Sequence, residues 1–220
     1  SGLGKCSLVA ALPVISVMGI QACPFPTAVL SAQTGFEHHF CCDFTEEMGR
    51  YTESWKKIGV EFDGIYSGYL AEISQIEKVL DFIKYFRKAD TLYLLDPVMG
   101  DRGNYYCMFD YKFREKMLEL VKMADVLTPN LTELCLLTEE NYEKLTEKSC
   151  ELEYLDRIKQ ICYNLMKISG RQQTIIVTGI PRKEEGKEYV GNLAVSETET
   201  YYVENVYTGR GFSGTGDLFA

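Results

Sequence analysis

The sequence predicts an α/β protein with a largely parallel central sheet, helices on both faces and a small β hairpin. Three observations lead to this prediction. Helical and strand-like patterns alternate along the chain, the strand-like segments are continuous apolar runs, and several of these runs end in polar or glycine-rich residues. Continuous apolar strands are typical of a parallel sheet buried by helices. Because ligands of such folds bind beyond the carboxyl ends of the strands, those polar ends indicate a site.

The first part of the chain is predicted to form two helices and two strands. Apolar residues recur at helical spacing over 8–18, and Gly19 ends that helix before a strand in the apolar stretch 20–30. A short apolar run over 64–69 predicts the next strand. The apolar positions of 76–86 then mark one face of the second helix.

The alternation continues through the second part of the chain. The predicted elements are a strand at 91–95, a helix at 111–123, a strand at 124–127, a helix at 154–168 and a strand at 174–177. Residues 189–195 and 200–206 then predict a β hairpin that leads into a glycine-rich segment.

Size and composition limit what the chain can be. Its 220 residues, 46% hydrophobic and 25% charged, fit one domain spanning 1–220. The chain starts at Ser1 and stops at Ala220 in a predicted helix, so we expect this domain to lack its N-terminal strand and a C-terminal segment. A net charge of −9 argues against nucleic-acid binding.

Location and redox environment follow from two further patterns. No apolar run reaches the length of a transmembrane helix, so no membrane partner is expected. The eight cysteines are scattered through a chain without a signal-peptide pattern, which favours a reducing cytoplasm.

The glycine-rich segment before the C-terminal helix carries the sharpest chemical signal. Gly214, Thr215 and Gly216 allow backbone N–H groups to approach an anion at the positive end of a helix dipole. Asp217 follows in the first turn, where a carboxylate can take a proton from an attacking alcohol during phosphoryl transfer. The alternative interpretation is a glycine turn followed by an ordinary acidic residue at a helix N-terminus.

Three carboxylates follow predicted strands and are candidate metal ligands. They are Asp96, Asp101 and Glu133. Magnesium prefers hard oxygen ligands and needs only one or two carboxylates beside its waters. The alternative is turn chemistry at Asp96 and a helix first turn at Glu133.

Five segments together resemble the ribokinase superfamily, in the order found in its pyridoxal and pyridoxamine kinase branch. Gly-Thr-Gly-Asp at 214–217 is similar to the anion hole and catalytic aspartate. The other segments are Gln-Thr-Gly-Phe at 33–36, Ser-Gly-Tyr at 67–69, Asp-Pro-Val-Met-Gly-Asp at 96–101 and Thr-Pro-Asn-Leu-Thr-Glu at 128–133.

The resemblance implies a ribokinase-like fold and an ATP-dependent kinase that phosphorylates the 5′-hydroxymethyl group of pyridoxal, pyridoxamine or pyridoxine. It assigns Gln33, Thr34 and Tyr69 to the vitamin. It places Asn130, Thr178 and Gly179 at ATP, with Mg²⁺ as the metal, and it allows a monovalent cation such as K⁺. It also implies a homodimer and reads Gly-Leu-Gly-Lys-Cys at 2–6 as an opening glycine turn on the substrate side.

One departure leaves the substrate open. The branch has histidine where this chain has Gln33, so the preferred B6 form is undecided. A hydroxymethylpyrimidine kinase remains an alternative, because it shares the fold, the aspartate and a flat heterocyclic alcohol. A non-catalytic nucleotide- or B6-binding protein of the same fold is the alternative from another class.

Overall fold

The computed structural model of the chain describes residues 1–33, 36–151, 153–211 and 214–220. Its helices are α1 (Leu8–Val17), α2 (Thr45–Ile58), α3 (Ile73–Phe86), α4 (Tyr111–Val121), α5 (Leu131–Thr138), α6 (Tyr142–Thr146), α7 (Tyr154–Ser169) and α8 (Thr215–Phe219). Its strands are β1 (Ala28–Leu30), β2 (Cys41–Asp43), β3 (Gly64–Ser67), β4 (Leu92–Leu95), β5 (Gly100–Asp101), β6 (Asn104–Tyr105), β7 (Val126–Leu127), β8 (Thr174–Glu184), β9 (Lys187–Val195) and β10 (Thr200–Val206). The predicted α/β class is confirmed.

Residue contacts divide the chain into two units. The first unit comprises Ser1–Asp63, Gly68–Thr91 and Gly211–Ala220, and the second comprises Gly64–Ser67 and Leu92–Arg210. The single domain expected over 1–220 stays a prediction.

The second unit, as far as its residues are described, is built on a six-stranded sheet in the order β10-β9-β8-β7-β4-β3. Strands β3, β4, β7 and β8 are parallel, whereas β9 and β10 form the predicted antiparallel hairpin. Helix α5 packs against α7 and β8. Tyr93, Leu95, Leu127 and Ile175 on the parallel strands are fully buried, which explains their continuous apolar sequence.

The first unit packs α2 and α3 around aromatic side chains. The Phe82 ring stacks on Phe25 at 5.0 Å and lies 4.5 Å from Phe86, with Trp55 and Phe62 alongside. A two-stranded antiparallel ribbon, β1 with β2, pairs Leu30 with Cys41. This ribbon leads directly into the segment that contains Gln33.

Two predicted strands differ from those observed. The strand expected in 20–30 is limited to Ala28–Leu30, because Pro24 and Pro26 lack the N–H groups that a ladder needs. The strand expected at 174–177 instead continues to Glu184 through an irregularity between Val177 and Ile180.

None of the helices in the described part of the chain is long and apolar enough to cross a bilayer.

Candidate active site

The polar strand ends of the second unit lie side by side at one edge of its sheet. Asp96 N–H donates to the Ser67 carbonyl at the end of β3 (2.9 Å), and Thr128 N–H donates to Leu95 at the end of β4 (3.1 Å). Thr178 N–H donates to the Pro129 carbonyl at 2.9 Å. The carboxyl ends of neighbouring parallel strands therefore bring the predicted 96, 128–130 and 178 positions to the same edge.

Asn130 and Glu133 form a capping box at the start of α5. The Asn130 Oδ1 atom accepts from Glu133 N–H at 2.9 Å, and Glu133 Oε2 accepts from Asn130 N–H at 2.8 Å. The other Glu133 oxygen accepts from Met99 N–H at 3.1 Å. Asn130 Nδ2 also donates to the Gly100 carbonyl at 2.9 Å. Both side chains thus tie the loop after β4 to α5, and their predicted ATP and metal roles stay predictions.

Glu133 is a buried carboxyl group, only 3% exposed. Burial raises its pKa well above the usual range, and the negative charge of Asp96 raises the pKa further. Backbone N–H groups of Asn130, Met99 and Gly100 lower the pKa and offset part of this effect. Two carboxyl groups that penalise each other's charge in a buried place would be relieved by a cation.

Thr128 provides a second sign that this edge suits a hard cation. Its side chain is 4% exposed, and its hydroxyl oxygen is buried without a hydrogen-bond partner in the described part of the chain. An unsatisfied buried hydroxyl costs free energy unless a ligand engages it. The Thr128 backbone lies at the same strand-end edge as that of Asp96, and a hydroxyl oxygen is the kind of donor that Mg²⁺ prefers.

Asp101 differs from the other two predicted metal ligands. Its carboxylate is exposed, and Oδ1 accepts from Arg102 N–H at 2.9 Å. Within residues 1–33, 36–151, 153–211 and 214–220, no group of three or more His, Cys, Asp or Glu side chains is arranged to hold a metal. A site with one or two carboxylates remains compatible with this geometry, and the assignment of all three stays a prediction.

The short hairpin after Asp96 is anchored to α5. A Cβ atom at Gly100 would overlap the Asn104 carbonyl, so only glycine fits there. Gly103 N–H donates to the Thr132 hydroxyl at 2.9 Å, and Gly103 packs against the Tyr142 ring. These contacts therefore hold the hairpin next to the capping box at the start of α5.

Thr178 and Gly179 lie in the irregular part of β8. The register shifts between Val177 and Ile180, and Gly179 adopts a φ of 66°. Gly179 N–H donates to Asn192 Oδ1 at 3.3 Å. Thr178 and Gly179 are therefore not paired with β9, although β8 continues beyond them. Thr178 lies next to Pro129, at the edge formed by the carboxyl ends of the parallel strands.

In the first unit, the opening turn at 2–6 supports the start of α8. Gly214 has a φ of 84°, and a Cβ atom there would overlap the Lys5 carbonyl and crowd Cys6. Gly216 has open space around it. Asp217 is half-buried in the first turn of α8, and Thr215 is exposed.

The same opening turn also contacts Gln33. Leu3 pairs with Ala32 in a parallel bridge, and Gln33 N–H donates to the Leu3 carbonyl at 2.9 Å. Gly4, with a φ of 117°, lies so close to the Gln33 side chain that a Cβ atom would crowd its Cγ. Tyr69 is half-buried in the first unit, and the predicted Thr34 lies outside the described residues.

Sequence reasoning missed Thr128 as a site residue, although it named the segment in which Thr128 lies. The signal was present in the Thr-Pro-Asn motif, but burial of the hydroxyl without a partner depends on the tertiary fold. Sequence reasoning also missed Gln75, a fully buried amide in the first turn of α3.

The fold and its strand-end residues define a ribokinase-like α/β protein, as the sequence indicated. The family model described as phosphomethylpyrimidine kinase matches residues 8–220. The chain therefore belongs to the phosphomethylpyrimidine kinase family, within the ribokinase-like superfamily.

Solved structures and curated relatives agree with this placement. A Bacteroides thetaiotaomicron protein, provisionally described as a phosphomethylpyrimidine kinase and solved in a crystal form with pyridoxal, is 39% identical with a TM-score of 0.88. The match covers 99% of this chain and 73% of that one. Pyridoxal kinase from Leishmania donovani, in complex with ADP and pyridoxine, shares the fold with a TM-score of 0.83 at 22% identity, covering 99% and 72% of the two chains.

Pyridoxal kinase from Arabidopsis thaliana is 27% identical over 161 residues, which are 70% of this chain and 47% of the relative. The chain spans about half the length of the curated relatives it matches. The predicted resemblance to pyridoxal kinases is confirmed.

Proposed function

We propose that the protein phosphorylates the 5′-hydroxymethyl group of a B6 vitamer with ATP. The observation that carries the proposal is the opening turn at 2–6, which contacts both Gln33 and Gly214. One turn thus joins the residue assigned to the vitamin with the glycine assigned to the anion hole. The Bacteroides relative with pyridoxal and the Leishmania enzyme with ADP and pyridoxine support the same substrate class.

In this proposal Asp217 accepts the proton of the substrate hydroxymethyl group. Backbone N–H groups of Gly214, Thr215 and Gly216 stabilise the charge of the phosphoryl group in transfer. Thr34 and Tyr69 complete the vitamin pocket with Gln33, and the flat Tyr69 ring suits a pyridine ring.

The second unit supplies the nucleotide and metal side. Asn130 has a second side-chain N–H beyond the one bonded to Gly100, and this group can donate to a phosphate oxygen. Thr178 and Gly179 contact the phosphates from the bulge. Asp96, Glu133 and Thr128, with Asp101 at the rim, would hold Mg²⁺ directly or through water. When bound, Mg²⁺ neutralises phosphate charge.

Three features of the whole protein complete the proposal. It is a homodimer, as expected for the pyridoxal kinase branch. It works in the cytoplasm, where thiols stay reduced, which agrees with its eight scattered cysteines. A monovalent cation such as K⁺ is the second ion to be tested after Mg²⁺.

The decisive experiment replaces the proposed catalytic base. Asp217→Asn keeps the size of the side chain but removes the proton acceptor, so we expect kcat with pyridoxal to fall about a hundredfold or more. ATP affinity should stay unchanged. Steady-state kinetics and calorimetric titration of ATP measure the two quantities.

A matched control is Asp156→Asn, because Asp156 also lies in the first turn of a helix but is exposed on α7. This variant should keep wild-type kcat. If Asp217→Asn retains the wild-type rate, the catalytic assignment is wrong. If the wild type binds ATP without turning over any alcohol, the non-catalytic alternative is correct.

A second candidate substrate is hydroxymethylpyrimidine, favoured by the description of the matching family model. Rates on pyridoxal, pyridoxamine, pyridoxine and hydroxymethylpyrimidine, measured side by side, separate the two candidates. We expect the highest kcat/KM on a B6 vitamer.

A further inference from the structure

Gln75 is a fully buried amide on the apolar side of a helix. It lies in the first turn of α3, with 0% exposure, and the next buried position of α3 is Ile76. A primary amide in such a place destabilises the fold unless its polar atoms are hydrogen-bonded. The bonds that Gln75 makes therefore indicate what it holds together.

Both ends of this amide find hydrogen-bond partners. The two N–H groups of Nε2 face three acceptors, so one of them is shared: the Thr27 carbonyl (2.9 Å), the Thr45 hydroxyl (2.8 Å) and Asp43 Oδ1 (3.1 Å). Its Oε1 atom accepts from Ala71 N–H at 2.8 Å. The orientation of the amide is fixed, because a backbone carbonyl can only accept and a backbone N–H can only donate.

The partners of Gln75 lie next to two segments, the β1–β2 ribbon and the segment that follows Tyr69. Thr27 precedes β1, Asp43 ends β2, and Thr45 begins α2, so these contacts hold the end of the β1–β2 ribbon at which Ala28 pairs with Asp43. Ala71 belongs to the segment that follows Tyr69. Thr27 also donates its hydroxyl to the Tyr69 carbonyl at 3.3 Å, which links the two segments directly.

The ribbon and the Tyr69 segment carry the residues assigned to the vitamin. Strand β1 leads within three residues to Gln33, and the Ala71 bond holds the chain two residues after Tyr69. We propose that Gln75 is a positioning residue that fixes these two segments relative to each other and thereby sets the affinity for the alcohol substrate. This inference rests on the proposed function, and Gln75 itself contacts no reacting group.

The test separates alcohol binding from ATP binding. Gln75→Met keeps the length of the side chain but removes the donors and the acceptor. We expect the KM for pyridoxal to rise about tenfold, while the KM for ATP stays within about twofold of wild type. Ile76→Val, one residue further on α3, is the control for general destabilisation. It should lower Tm without changing either KM.

Thr27 provides an independent test if Gln75→Met does not fold. Thr27→Val removes the hydroxyl that donates to Tyr69 and should raise the KM for pyridoxal. Thr27→Ser keeps the hydroxyl and should restore a value within about twofold of wild type.

Wild-type turnover is measured first, on pyridoxal, pyridoxamine, pyridoxine and hydroxymethylpyrimidine, and the KM comparison is made with the best alcohol. Absence of wild-type turnover on pyridoxal, pyridoxamine and pyridoxine alike refutes the proposed function. An active wild type overturns the positioning role alone if Gln75→Met or Thr27→Val leaves the KM for the alcohol unchanged. A parallel rise in the KM for ATP, or the same rise in Ile76→Val, also overturns it.

Discussion

Asp96 and Asp101 show how far the role of a residue depends on its surroundings. They are the first and the last residue of the same hexapeptide, and both were predicted to bind metal because they follow a strand. Asp96 is 7% exposed and raises the pKa of Glu133, whereas Asp101 is exposed and accepts from the neighbouring Arg102 N–H. The sequence identified the carboxylates, but burial distinguishes them, and burial depends on residues far along the chain.

Gly214 and Gly216 make a matched pair for testing the glycine-rich turn. Gly214→Ala places a Cβ atom on the Lys5 carbonyl and holds alanine at a positive φ, so we expect it to lower the free energy of unfolding by about 3 kcal/mol. Gly216 is helical with open space around it, and Gly216→Ala should stabilise by roughly 0.5 kcal/mol. Urea denaturation followed by circular dichroism measures both.

Equal stabilities of the two alanine variants would contradict the packing of the opening turn against α8. The sequence could not separate these glycines, because the contact with Lys5 joins residues more than two hundred positions apart. The shared motif predicts backbone N–H groups near an anion, but only the tertiary contact with Lys5 shows that position 214 requires glycine.

At the scale of elements, the sequence predicted the strands of the parallel sheet more accurately than the helices and strands of the first unit. Tyr93, Leu127 and Ile175 are fully buried, most of the residues that alternate with them are half-buried, and the continuous apolar runs report this burial. Helix α2 was missed although it carries acidic residues in its first turn, Lys56 and Lys57 in its last turn and Gly59 beyond its end. Its low overall hydrophobicity concealed an aromatic face, and these end signals were the ones to use.

Hydrophobic periodicity could not predict the β8 irregularity or the α5 capping box. A pattern of alternating residues cannot report that a strand resumes after Gly179, because the interruption depends on pairing with β9. Of the capping box, the sequence indicated only the alternative that Glu133 lies in the first turn of a helix. The structure confirms that position and adds the cap by Asn130, without excluding the proposed ligand roles.

The hairpin β9–β10 is held by an ion pair whose strength should depend on pH. Arg182 donates to both Glu204 oxygens at 2.8 and 3.0 Å, and Tyr202 donates to Glu204 at 2.8 Å. The Arg182 hydrogen bonds lower the pKa of Glu204, against desolvation that raises it. A lowered pKa in the folded state stabilises above the unfolded pKa and is lost as pH falls through the folded pKa.

Glu204→Gln is therefore expected to lower the free energy of unfolding by about 1 kcal/mol at neutral pH, since the pair is partly exposed. The difference from wild type should shrink as the pH falls below about 4.3, the ordinary pKa of Glu in an unfolded chain, and should vanish once the folded-state carboxylate is protonated. Urea denaturation at several pH values measures it. Glu197→Gln, in the exposed turn between β9 and β10, should show no such dependence. A difference that is constant down to pH 3 would contradict a stabilising ionised Glu204.

At the scale of the whole molecule, the proposed function divides its binding residues between the two units. The vitamin residues Gln33 and Tyr69 and the base Asp217 belong to the first unit, whereas Asp96 and Glu133 belong to the second. The family resemblance named these residues together, without dividing them. Because they belong to different units, we expect the two substrates to stabilise different parts of the chain.

Amide hydrogen exchange tests this division. MgADP, which cannot be turned over, should slow exchange in the second unit at 96–101 and 128–133, because it engages the loops after β4 and β7. Pyridoxal should slow exchange in the first unit around Tyr69 and in the 27–33 segment. Replacing Mg²⁺ with EDTA should weaken the ADP effect at 128–133 if Thr128 and Glu133 serve the metal. Protection by pyridoxal confined to the second unit, or ADP protection independent of Mg²⁺, would contradict the assignment, because ligands slow exchange most where they replace solvent around backbone hydrogen bonds.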